Sequence, residues 1–208
     1  IYLPAEDPPT AIHHRLHALG AHLSAEERQA VADGLLIQPL IGSLPNIMAP
    51  EWFDGLKRAA EGRRLMVLDT LRRFHIEEEN ASGPMAQVIG RMEAIAADTG
   101  CSIVFLHHAS KGAAMMGAGD QQQASRGSSV LVDNIRWQSY LSSMTSAEAE
   151  EWGVDDDQRR FFVRFGVSKA NYGAPFADRW FRRHDGGVLK PAVLERQRKS
   201  KGVPRGEA

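Results

Sequence analysis

Hydrophobic residues along the chain fall into short continuous runs and into longer stretches with helical spacing. Mostly apolar runs occupy residues 1–3, 64–69 and 101–106, a length and composition typical of buried β-strands. Between them, apolar residues recur every three or four positions over residues 51–60 and 84–99, which predicts two amphipathic helices. The first half of the chain is therefore predicted to alternate strands with helices.

Two further helices are predicted near the N-terminus from the signals at their ends. Asp7 precedes two prolines and is predicted to cap the first helix, in whose first turn a missing N–H costs little. Ser24 and Glu27 have the spacing of a capping box, which predicts the start of the second helix. The apolar run at residues 35–37 then predicts a strand.

The second half of the chain has a different pattern. Residues 109–127 are rich in Gly, Ala, Ser and Gln and are predicted to form a long mobile loop. Residues 130–141 are predicted to form a short helix that leads into a strand, and residues 146–152 another short helix. Residues 160–167 and 179–183 alternate apolar with charged side chains, as antiparallel strands do.

These elements together predict an α/β fold. Continuous apolar strands joined by helices indicate a mostly parallel central sheet with helices on both faces, and the alternating strands predict antiparallel C-terminal edge strands. In such sheets ligands bind beyond the carboxyl ends of the strands. Residues 1–194 are predicted to form the folded core. Residues 195–208, with five basic against two acidic residues, are predicted to be a disordered basic tail.

Composition narrows the class of protein. The 208 residues are 43% hydrophobic and 25% charged with a net charge of −1, so a histone-like polycation is excluded and any nucleic-acid contact must come from a local patch. A single cysteine, Cys101, excludes an internal disulfide framework. No apolar run approaches the roughly 18 residues that a membrane span requires. We therefore expect no membrane partner and a cytoplasmic location.

Polar residues follow the first three predicted strands. Glu6 follows the first, Asp69 ends the second, and His107 and His108 follow the third. An apolar strand that ends in Asp is the Walker B pattern, in which the carboxylate holds Mg²⁺ beside nucleotide phosphates, although an Asp there is also a common turn former or cap. Glu6 fits a carboxylate that orients an attacking water, or a solvated loop residue. His108 fits a γ-phosphate contact, or a structural histidine.

The phosphate loop that normally accompanies a Walker B strand has the pattern G-x-x-x-x-G-K-[ST]. The sequence does not contain it. The nearest string, GAAMMG at residues 112–117, continues with Ala118 and Gly119 and so has neither the lysine nor the hydroxyl. The chain also begins at Ile1 without a methionine, in what reads as a strand already under way.

Four segments together resemble the RecA-like hexameric helicases: YLPAED at residues 2–7, LMVLDT at 65–70, IVFLHH at 103–108, and residues 127–136. Nearly the whole chain resembles, more closely, the RepA-type replicative helicases of IncQ plasmids, which are ring-shaped ATPases that unwind DNA. The resemblance implies a RecA-like fold, ATP and Mg²⁺ as cofactors, and a homo-hexamer. It also implies single-stranded DNA and plasmid replication proteins as partners.

The same resemblance assigns roles to four residues. It makes Glu6 the catalytic carboxylate, Asp69 the Walker B aspartate that binds Mg²⁺ and nucleotide, and His108 the γ-phosphate sensor. Arg136 matches the arginine finger, which acts in the nucleotide site of a neighbouring subunit. From the residues alone, Arg136 fits a surface ion pair equally well. The family's phosphate-loop strand, loop and helix are expected upstream of Ile1, so we expect a truncated core and attribute activity to the parent protein.

Three further residues are candidates for ligand contacts. Residues 109–127 match a loop that faces the central channel of the ring, and Lys111 and Arg126 there are predicted to contact DNA phosphates. Lys169 lies in the string SKANYG and matches a second contact to an adjacent nucleotide, although hairpin-turn chemistry explains this string as well. A recombinase or clock-type ATPase of the same fold, and a catalytically inert DNA-binding or regulatory module, remain alternative interpretations.

Overall fold

The computed structural model describes residues 1–108, 129–174 and 176–197, and within these ranges the strands form two sheets. The first is parallel and has the order β1-β2-β3, with β1 at Tyr2–Pro4, β2 at Leu65–Asp69 and β3 at Ser102–Phe105. The second is antiparallel and has the order β4-β5-β6-β7, with the strands at Trp137–Ser143, Phe162–Ala170, Arg179–Arg183 and Leu189–Ala192. The predicted α/β class, with parallel strands followed by antiparallel ones, is confirmed.

The helices lie where the apolar spacing predicts them. They are α1 (Pro9–Gly20), α2 (Ala25–Gly34), α3 (Pro50–Ala60), α4 (Ser82–Thr99), α5 (Ser129–Asn134) and α6 (Ser146–Trp152). Helix α4 buries the apolar side chains that predicted it and ends at Gly100, whose φ of 70° is the left-handed conformation that glycine adopts most easily. No helix in the described ranges is long and apolar enough to cross a bilayer.

The parallel sheet and helices α3 and α4 enclose the main core. In the register of the sheet, Leu3 lies opposite Leu68, and Leu68 lies opposite Phe105. Since alternate residues of a strand face the same side, this row points into the core together with Met66. Met66 and Leu68 have no exposed surface. The carboxyl ends of β1, β2 and β3 are thereby fixed at one edge.

The N-terminal segment corrects two predictions. Asp7 does not cap α1: Pro8 occupies the N-cap position, and Asp7 instead pairs with Arg15 one helix face away. The predicted strand at residues 35–37 is reduced to a single parallel bridge between Tyr2 and Ile37. The capping box of Ser24 is present at α2, but this helix buries none of its residues.

A second, smaller core lies beneath the antiparallel sheet. Met144, Ala149, Phe162 and Trp180 pack together there, which places α6 against the sheet. The strand β7 is absent from the sequence prediction, since its LKPA sequence contains a proline and no clear alternation. Within the tail, Arg196 forms an ion pair with Glu151 at 3.0 Å.

Candidate active site

The candidate site lies where the three parallel strands end. Pro4 at the end of β1 lies opposite Asp69, the last residue of β2, and Glu6 follows two residues after Pro4. The backbone N–H of Ala5 donates to the Asp69 carbonyl at 2.6 Å, which ties the two strand ends together. His108 follows β3 by three residues. The structure therefore brings Glu6, Asp69 and His108 to one edge of the sheet.

The Glu6 carboxylate is held by side chains on one oxygen and is open on the other. Its Oε1 accepts a hydrogen bond from the Thr70 hydroxyl at 3.1 Å and another from Arg73 Nε at 3.1 Å. Its Oε2 lies 3.8 Å from His108 Nε2. The side chain is 33% exposed, so solvent reaches it. A carboxylate in this setting can orient a water molecule and accept its proton.

Asp69 is oriented from inside the sheet. The Tyr2 hydroxyl donates to Asp69 Oδ2 at 2.5 Å. The peptide bond that joins Asp69 to the buried Thr70 is cis. Carboxylate and hydroxyl oxygens are the ligands that Mg²⁺ prefers, and Mg²⁺ commonly takes only one or two carboxylates from the protein. The donor atoms at the end of β2 therefore fit this metal.

The two histidines after β3 lie in different environments. The side chain of His108 is 63% exposed, whereas that of His107 is 10% exposed and lies with Nε2 3.6 Å from Glu79 Oε1. Burial lowers the pKa of His107, and the Glu79 carboxylate opposes this only in part. His107 is therefore neutral at pH 7, and His108 is the histidine that can reach a ligand.

A small depression adjoins these residues. It is lined by Thr70, Arg72, Glu79, His107 and His108 and has a volume of about 140 Å³. Ligand pockets typically measure about 300–1,000 Å³, so this depression encloses only part of a nucleotide. Its mixed lining of cations, hydroxyl and carboxylate suits a phosphate with its counter-ion.

Arg136 and Lys169 lie away from these strand ends. Arg136 lies between α5 and β4, donates through Nη1 to the Asn134 carbonyl at 2.7 Å, and has Nη2 3.7 Å from Glu93 Oε1. Both side chains of this pair are more than half exposed. Lys169 Nζ donates to the carbonyls of Val132 at 2.7 Å and Asp133 at 3.0 Å. Lys111 and Arg126, and the loop prediction for residues 109–127, lie outside the described residues.

Sequence reasoning missed the residues that hold the candidate carboxylates: Tyr2, Thr70, Arg73 and Glu79. Two of them leave a signal in the sequence, because Thr70 directly follows Asp69 and Tyr2 stands in the strand beside it. The contact from Arg73 has no such signal, since it depends on the turn after β2.

Comparisons with known proteins agree with this architecture. Residues 1–114 match a protein family described as AAA domain. The structure is similar to one solved ATPase domain, with a TM-score of 0.62 and 13% identity over 90% of this chain and 72% of that one. It is also similar to the RadB recombinase, with a TM-score of 0.52 and 15% identity over 89% of this chain and 76% of that one. At these identities the two structures establish the fold alone.

The parallel sheet with its ligand edge and the antiparallel strands that follow define a RecA-like α/β fold of the ATPase class. Because the family match extends over more than half of the 208 residues, the chain belongs to the AAA domain family.

Proposed function

We propose that this chain forms the ATP-hydrolysing core of a ring-shaped DNA helicase that acts in plasmid replication, as the RepA-type helicases of IncQ plasmids do. The observation that carries the proposal is the meeting of Glu6, Asp69 and His108 at the carboxyl edge of the parallel sheet. The sheet edge is where α/β folds bind their ligands. The fold and the family support an ATPase, and the plasmid helicase rests on the sequence resemblance.

Each residue at the edge has a role in hydrolysis. Asp69 would hold Mg²⁺, which neutralises phosphate charge when bound with ATP. Glu6 orients the attacking water through its solvent-facing oxygen and accepts the proton of that water. His108, exposed beside Glu6, contacts the γ-phosphate and reports its loss to the segment that follows it. The buried His107 stays neutral and supports this segment from below.

The site is completed by a second subunit. In the proposal, Arg136 of each subunit reaches the nucleotide of its neighbour and stabilises the charge that develops in transfer, a role typically worth about 10³ to 10⁵ in rate. Lys169 is the second residue proposed to act across the interface. Its position at the end of α5 supports a contact made jointly with Arg136. Head-to-tail interfaces of this kind close into rings, and we propose a homo-hexamer.

DNA contacts are proposed for Lys111 and Arg126. They are cations at either end of a Gly-rich and Ala-rich segment, a composition that suits backbone contacts without base reading. In the full-length protein, replacing both with Ala is expected to weaken stimulation of the ATPase by single-stranded DNA and to flatten its salt dependence. Loss of the DNA-independent rate would instead contradict a role confined to DNA. Cytoplasmic location and partnership with plasmid replication proteins complete the proposal.

The decisive experiment measures ATP hydrolysis and unwinding of a forked DNA duplex by the full-length protein. We expect both activities, and we expect Glu6→Gln to reduce hydrolysis by about 10² to 10⁴-fold while ATP binding persists. Hydrolysis with strand exchange but without unwinding would identify a recombinase instead. Absence of both ATP binding and hydrolysis would identify an inert DNA-binding or regulatory module.

A further inference from the structure

The strongest unassigned contact in the molecule is made by Arg73. Its Nε lies 3.1 Å from Glu6 Oε1, the same oxygen that accepts a hydrogen bond from the Thr70 hydroxyl at 3.1 Å. The two donors approach from the protein side, because Thr70 is buried and Arg73 follows it on the adjoining turn. One carboxylate oxygen is thus doubly bonded to the protein, and the other is left for a ligand.

The backbone that carries Arg73 is anchored on both sides. Arg73 is the last residue of the 3₁₀ turn Leu71–Arg73, and its backbone N–H donates to the Thr70 carbonyl at 2.9 Å. Leu71 before it and Phe74 after it have no exposed surface. The Leu71 N–H donates to Leu106 at the end of β3 at 2.8 Å, and the Phe74 carbonyl accepts from Ile47 at 2.8 Å. The guanidinium therefore extends from a fixed point.

Neighbouring arginines on this turn diverge. Arg72 donates to the Glu77 carbonyl at 3.2 Å and lines the depression beside His107, whereas Arg73 turns to Glu6. An ion pair between two partly exposed side chains contributes little to folding. The consequence of the Arg73 contact is geometric: it restricts the Glu6 carboxylate to the orientation in which Oε2 faces solvent and His108.

We propose that Arg73 is a positioning residue for hydrolysis, which holds Glu6 so that Oε2 is the oxygen that takes the attacking water. This inference rests on the proposed ATPase function. Arg73 touches neither nucleotide nor water in this scheme and acts only through Glu6. Its removal is therefore expected to change turnover and not nucleotide affinity.

The test is a double-mutant cycle on the full-length protein, with kcat and KM for ATP measured for each variant. Arg73→Gln is expected to lower kcat about 10-fold, since small errors in the placement of a reacting group cost one to two orders of magnitude, and to leave KM within about two-fold. In the Glu6→Gln background the same substitution is expected to cause no further loss. A KM that rises, or a full loss repeated without the Glu6 carboxylate, would overturn the proposal.

Matched variants separate this effect from a general loss of structure. Arg159→Gln removes another arginine whose Nε pairs with a carboxylate, that of Asp156 at 2.7 Å, and is expected to leave kcat unchanged. Thr70→Val is expected to lower kcat like Arg73→Gln, whereas Thr70→Ser keeps the hydroxyl and the rate. If Glu6→Gln itself leaves hydrolysis intact, the proposed function fails and Arg73 with it. If Glu6→Gln is inactive and Arg73→Gln is fully active, only the role of Arg73 is refuted.

Discussion

The Tyr2 hydroxyl donates a hydrogen bond to Oδ2 of Asp69 at 2.5 Å, so the first residue of β1 orients the carboxylate at the end of β2. Tyr2 pairs with Val67, which lies on the same face of β2 as Asp69. Burial, followed by the interaction with Asp69, raises the pKa of the Tyr2 phenol far above its ordinary value. Tyr2 therefore stays a donor at any pH at which the protein is folded, and one oxygen of Asp69 is always engaged.

Removing this hydroxyl is expected to weaken Mg²⁺ use. Partners that orient a metal ligand typically contribute about 10 to 100-fold to metal affinity or activity. For Tyr2→Phe we expect the Mg²⁺ concentration that gives half-maximal ATPase activity to rise about 10-fold, with a loss of unfolding free energy of about 1 kcal/mol. Mg²⁺ titration of the ATPase and urea denaturation measure the two effects. An unchanged Mg²⁺ requirement would show that Asp69 does not depend on Tyr2.

Buried histidines are expected to make the folded chain less stable in mild acid. Burial, and then Arg72, lower the pKa of His75, while Glu79 and Glu77 oppose the shift. Burial likewise lowers the pKa of His107. A lowered folded-state pKa means that the unfolded chain binds more protons below about pH 6.5. The stability is fully present above that pH and is lost progressively as the pH falls toward the lowered values.

This pH dependence is testable by urea denaturation between pH 5 and pH 7.5, the range to which an ordinary histidine pKa near 6.5 assigns the change. Each such histidine contributes a slope of at most about 1.4 kcal/mol per pH unit. We expect His75→Gln to flatten the slope. The control is His13→Gln, which changes an exposed histidine on α1 and should leave the slope as it is. An equal slope in both variants would contradict a contribution from His75.

The elements that local patterns specify are the ones the sequence predicts well. Helix α4 follows from a repeat contained within 18 residues, and β2 from an apolar run that ends in Asp69. The meeting of Glu6, Asp69 and His108 also follows from the sequence, because parallel strands align their carboxyl ends. These inferences need no knowledge of how individual side chains pack.

The remaining features depend on competition between groups distant in the chain. Asp7 has the sequence position of a cap, yet Arg15 takes its carboxylate and Pro8 occupies the N-cap. Arg73 meets Glu6 across 67 positions only because the buried turn after β2 directs it there. In both cases the sequence offers several partners of the right chemistry, and the three-dimensional arrangement selects one.

Lys169 is expected to stabilise the fold as well as any interface. Its ammonium group donates to two carbonyls in the last turn of α5, where a cation also offsets the helix dipole. We expect Lys169→Met to lower the unfolding free energy by about 1 kcal/mol without nucleotide. Lys190→Met on β7 is the control, with a change of about 0.5 kcal/mol or less expected. Equal stability of the two variants would contradict the capping role and leave Lys169 as an interface residue alone.

Shared sites between subunits predict that two inactive variants restore activity when mixed. Glu6→Gln lacks the catalytic carboxylate, and Arg136→Ala lacks the finger offered to the neighbour. In a randomly mixed ring, about a quarter of the interfaces then combine an intact Glu6 with an intact Arg136 from the next subunit. We expect an equimolar mixture, denatured and reassembled together, to recover up to that fraction of the wild-type ATPase rate. Each variant reassembled alone is the control, and a mixture as inactive as its components would contradict a finger supplied by the neighbouring subunit.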